Sequence, residues 1–134
     1  MRRILLAVMV TLGATGATEQ GAEAPPRVSL LQLLARPSDF DGQRVQVIGY
    51  VNLGFEEDYI FLTPEDHENG IFENSAALGL GDKEWPLKSN GYALVEGVFR
   101  SEFVLEDARA GVAQIRVTRL EPWVPKAKAA RGCW

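Results

Sequence analysis

The sequence predicts a mainly β domain, a five-stranded barrel with one short helix in front of it. Three observations predict it. Five segments rich in β-branched and aromatic residues are separated by turn signals. Two of them, Val45-x-Val47-x-Gly49-x-Val51 and Ala93-x-Val95-x-Gly97-x-Phe99, repeat one pattern with a glycine inside the strand. Such a glycine weakens a strand, so it marks a bend or a close backbone approach, and small closed barrels need such points. The composition is that of a globular chain, 46% hydrophobic and 24% charged over 134 residues, which suits one domain.

The chain opens on a targeting pattern. Arg2 and Arg3 precede an apolar run from Ile4 to Leu12, broken by Thr11, and small residues take over from Gly13 to Thr18. A charged end, a short apolar helix and a small-residue zone make up an export signal. A permanent span would need about 20 apolar residues. Residues 1–24 are therefore expected to be a cleaved signal peptide, with Ala22-Glu23-Ala24 and Thr15-Gly16-Ala17 as competing cleavage motifs. The expected product is exported and periplasmic, keeps no transmembrane segment, and consists of a barrel domain at 25–124 and a disordered basic tail at 125–134. Cleavage removes Arg2, Arg3, Glu19 and Glu23, so the net charge of −4 is unchanged.

Each element has its own signal. Ser29 is a helix cap, Leu30, Leu33 and Leu34 share one helical face, and Arg36-Pro37 ends the helix. Asp41-Gly42 is a turn. Arg44 to Val51 alternates with Val45, Val47 and Val51 on one face; Tyr59 to Thr63 is apolar on both faces; Ala76 to Leu80 is a shorter third strand. After Asn90-Gly91 comes a fourth strand, Tyr92 to Phe99. The fifth, Ala113 to Leu120, turns Ala113, Ile115 and Val117 inward, and strict alternation puts Arg116 and Arg119 on opposite faces.

The order of short helix, V-x-V-x-G-x-V, Y-x-F, short strand, V-x-G-x-F and I-x-V-x-x-L resembles the OB-like domains of small exported bacterial proteins, the bacterial OB-fold family among them. The likeness covers about residues 28 to 123 and rests on barrel-building residues. It implies a five-stranded OB-like Greek-key barrel. Where that family has a tight Asp/Gly turn between strands two and three, this chain has the longer run Pro64 to Ser75. The resemblance therefore brings no functional residue with it.

Catalytic patterns are scarce. His67 is the single histidine and Cys133 the single cysteine, near the C-terminus, and no G-x-S-x-G, H-E-x-x-H or phosphate-cradling glycine loop occurs. The expectation is a non-enzymatic module without a cofactor, although the many carboxylates leave a hydrolase as an alternative. Cys133 cannot close an internal disulfide but could link two chains.

Charge is the most uneven feature. Glu56, Glu57, Asp58, Glu65, Asp66, Glu68, Glu73, Asp82 and Glu84 face one cation, Lys83, whereas from Trp85 onward eight basic residues meet five acidic ones. An acidic loop surface suits a cationic ligand or an envelope protein partner, although charged loops also simply keep a small domain soluble. The acidic balance speaks against nucleic acid, since phosphate binding calls for a basic face. The candidate ligand-binding residues are Glu56, Glu57, Asp58, Tyr59, Glu65, Asp66, His67 and Trp85; none forms a metal-ligand pattern, and Glu65-Asp66-His67-Glu68 lacks the spacing of a calcium loop. An alternative is stacking of oligosaccharide or single-stranded nucleic acid on exposed aromatics among Tyr50, Phe55, Tyr59, Phe61, Phe72 and Trp85. Core filling or loop pinning is the competing role for those rings.

Overall fold

Ser29 starts the first helix as expected. In this computed structural model, which describes residues 23–54, 58–103 and 112–126, the Ser29 hydroxyl accepts the Gln32 N–H at 3.1 Å while the Gln32 side chain accepts the Ser29 N–H. This reciprocal cap holds α1 (Leu30–Ala35). Pro37 does end it, but also opens a second one-turn helix, α2 (Pro37–Phe40), that the sequence reading did not contain. The expected signal peptide lies outside the described residues except for Glu23 and Ala24. The expected tail, with Cys133, lies outside them from residue 127 on. No helix among the described residues is long and apolar enough to cross a membrane.

The five strands are β1 (Arg44–Leu53), β2 (Asp58–Phe61), β3 (Ser75–Gly79), β4 (Gly91–Phe103) and β5 (Val112–Pro122). They close in the order β1-β2-β3-β5-β4, with β4 returning to β1. β3 and β5 run parallel and the other pairs antiparallel. This is a closed, five-stranded OB-like barrel. Because side chains alternate along a strand, Val45, Val47 and Val51 enter the core with Ile60, Ala76, Leu78, Ala93, Val95, Phe99, Ile115 and Leu120. Leu30 and Leu33 of α1 join the same core, which explains why a helix this short is stable.

The two strand glycines are close-approach points. A Cβ on Gly49 would stand 2.7 Å from Ile60 Cγ1 and 2.8 Å from the Phe61 carbonyl oxygen. One on Gly97 would run into the Arg116 carbonyl group and lie 2.8 Å from Ile115 Cγ2. Both contacts cross to a neighbouring strand of the barrel wall.

The arginines of β5 need a correction. Glu96 pairs with Arg119 but Gly97 with Val117, so the ladder slips by one residue at Thr118. The extra residue reverses the alternation. Arg116 and Arg119 thus share the outer face instead of opposing each other, and both are exposed. There Arg119 Nη1 donates to Glu96 Oε1 at 3.0 Å, Gln46 Nε2 donates to the same oxygen at 2.6 Å, and Arg119 also pairs with Glu121 at 2.8 Å. These contacts satisfy Glu96, a carboxylate only 7% exposed, and tie β1, β4 and β5 together.

Candidate functional site

The long β2–β3 connection, read from sequence as a loop, folds into α3 (Pro64–Glu68) and a 3-10 turn at Phe72–Asn74. Its start signals were present in the sequence. Thr63 caps the helix by accepting the Asp66 N–H at 3.2 Å, Pro64 takes the first helical position, and Glu65 and Asp66 sit in the first turn, where carboxylates favour the exposed N–H groups. Behind the helix, the Ile71 N–H returns to the Asp66 carbonyl at 2.8 Å and Ser75 Oγ donates to the Phe72 carbonyl at 2.7 Å.

This excursion lies over the outer face of the barrel. Tyr59, Phe61 and Ala77 point away from the main core and form a second apolar cluster with Tyr50 against it. Phe72 packs edge-on to Tyr59 with ring centroids 5.2 Å apart and lies 5.7 Å from Phe61. His67 comes down between Phe61 and Tyr50, at 5.3 and 5.8 Å. Phe61 is completely buried and Tyr59 is 3% exposed. Tyr59 is therefore corrected from a surface ligand contact to a member of the second cluster: at alternate outward positions, it and Phe61 would be open to solvent without α3 and the 3-10 turn.

The candidate residues fall into separate groups. Glu65, Asp66 and His67 are together on α3, at the Phe61 end of β2; Glu65 is exposed, Asp66 and His67 half-buried. Asp58 is at the other end of β2, three residues and about 10 Å along the strand. The antiparallel pairing of β2 with β3 brings that end to the β3–β4 connection, which carries Asp82, Glu84 and Trp85. Glu56 and Glu57 lie outside the described residues. One continuous acidic rim is thus resolved into two acidic ends flanking a short strand.

Trp85 pins its loop. Its indole N–H donates to the Leu80 carbonyl at 3.2 Å, its ring packs against the main core beside buried Leu87, and Lys83 Nζ stands 4.8 Å over it. Trp85, one of the aromatics expected to be available for stacking, is half-buried. Sequence reasoning passed over Tyr92, which is 44% exposed and meets Tyr50 edge-to-face at 5.9 Å. The β1–β4 register makes these two direct partners, and no local pattern links residues 42 positions apart.

Burial raises the Asp58 carboxyl above its ordinary value, opposed by a hydrogen bond from the Gly54 N–H. The fold therefore favours the protonated acid. The penalty on the wild type is present at neutral pH, fades as pH falls through the raised value, and is gone below the ordinary carboxylate range. Asp58→Asn should accordingly be slightly more stable than wild type near pH 7. Urea midpoints should converge near pH 3; an equal difference at both values would sink this account.

Among the described residues, no group of three or more His, Cys, Asp or Glu side chains could hold a metal ion. No family model matches the chain, and no curated protein matches it.

Proposed function

We propose that the chain is a non-enzymatic binding module of the cell envelope that offers the acidic surface of α3 and the following 3-10 turn to a cationic partner. One observation carries this reading. Glu65, Glu68 and Glu73 are all exposed, and the ion pairs among the described residues lie elsewhere, at Arg36–Asp39, Arg119–Glu96 and Arg119–Glu121. The outward arginines Arg44, Arg100 and Arg116 belong to β1, β4 and β5, whereas α3 follows β2. Exposed carboxylates gathered on one wall attract a basic partner to it. The envelope location rests on the export pattern of residues 1–24.

The test uses an alternating lysine–glycine decapeptide as probe, titrated at about 50 and about 300 mM salt. Binding should weaken at the higher salt. Glu65→Gln/Glu68→Gln/Glu73→Gln should cost about ten-fold in affinity, each exposed charge contributing about 0.5 kcal/mol. Asp82→Asn/Glu84→Gln, at the other end of β2, should cost much less. Equal losses from the two sets, or binding indifferent to salt, would remove the reading.

A further inference from the structure

The acidic wall carries an aromatic edge. Tyr50 of β1 and Tyr92 of β4 are direct cross-strand partners on the outer face, edge-to-face at 5.9 Å, and Tyr50 continues to His67 of α3 at 5.8 Å. Across the sheet the outward row runs Tyr92, Tyr50, Phe61, Ser75. Its Phe61 end is sealed beneath α3, and its Tyr92 end is open.

Both half-buried tryptophans among the described residues, Trp85 and Trp123, already hold cations of their own. Arg27 lies 5.3 Å over the Trp123 ring and Lys83 lies 4.8 Å over Trp85. Among the described residues no cation lies over Tyr50 or Tyr92, although their rings offer the same negative face. The element beside Tyr50 presents Glu65 and Glu68, both exposed. An aromatic pair with Tyr92 exposed and Tyr50 half-buried, bordered by carboxylates, is complementary to a group that is flat or compact, cationic and carried on an apolar stem. Lysine and arginine side chains are such groups.

We propose that the Tyr50–Tyr92 edge seats a lysine or arginine side chain of a basic polypeptide, whose neighbouring cations meet the carboxylates of α3. The proposal rests on the acidic-surface reading and adds a place and a chemistry to it. The stem lies along the two rings, the charged head faces Tyr92, and the peptide runs on toward Glu65 and Glu68.

The test adds two variants to the decapeptide titration. In the wild type, the lysine ε-CH2 protons should move upfield with saturation, because ring currents shield a stem packed on the phenol faces. Tyr92→Ala should weaken binding about two- to five-fold, as expected for one exposed cation–π contact, and reduce the upfield shift. Tyr92→Phe, which keeps the ring, should retain both. If Tyr92→Ala binds as tightly and shifts the same protons, the seat is wrong, while the acidic reading still stands on its carboxylate variants. If the peptide binds neither wild type nor variants, both fall together. Saturable shifts of the Tyr50 and Tyr92 rings by maltotriose or a thymidine decamer, without any by the peptide, would overturn the cationic assignment in favour of stacking.

Discussion

Gly97→Ala is expected to cost about 3 kcal/mol or to prevent folding, because overpacking at a wall-to-wall contact leaves nothing to move but backbone. The new methyl group would fall on the Arg116 carbonyl group and near Ile115 Cγ2. Neither neighbour can yield cheaply. Ile115 is fully buried, and the Arg116 carbonyl belongs to the strand against which β4 closes, at the point where the ladder slips by one residue. Gly42→Ala provides the contrast. No atom lies within 4 Å of a Cβ there, and only its φ of +76° opposes a side chain, which should cost nearer 1 kcal/mol. Urea unfolding with an unchanged slope would report the two losses. Equal costs would mean that the barrel wall is looser than the close approach at Gly97 implies.

Phe61→Ala should cost about 4 kcal/mol, comparable to an interior phenylalanine, although its side chain points outward from the barrel. Phe61 is fully buried because α3 and the 3-10 turn lie over it, with His67 at 5.3 Å and Phe72 at 5.7 Å. Removing the ring deletes the platform on which that excursion rests. Amide exchange from residue 65 to 74 should therefore accelerate more than exchange in β4 and β5, and decapeptide affinity should fall with it. Phe61→Leu, which refills most of the space, should recover much of the stability. If exchange quickens uniformly over the barrel, the second cluster is not a separate unit of structure.

Most of the barrel was legible in the sequence, for a local reason. Alternation in Arg44–Val51 and Ala113–Val117 marks inward faces, and Gly49 and Gly97 mark bends whatever the strand order. The Ser29 cap and the Arg36-Pro37 stop delimit α1 in the same way. Less of the candidate site was legible. Thr63-Pro64-Glu65-Asp66 did announce a helix start, but the length of the connection suggested a loop.

Sequence by itself determined the fold class, the inward-facing residues and the lopsided charge, because each depends on neighbours a few positions apart or on composition. Tertiary structure decided which of those residues are available to a partner. Tyr59 and Phe61 stand on the outward face of β2, yet are buried because α3 and the 3-10 turn lie over them. The acidic residues follow one another closely in the chain, yet β2 divides them between its two ends. Arg119 left the face its spacing assigned because one extra residue at Thr118 turned the strand. Tyr92 came beside Tyr50 only when β4 closed the barrel on β1. Exposure and adjacency are set by non-local pairing, and a one-residue slip in that pairing exchanges inside for outside.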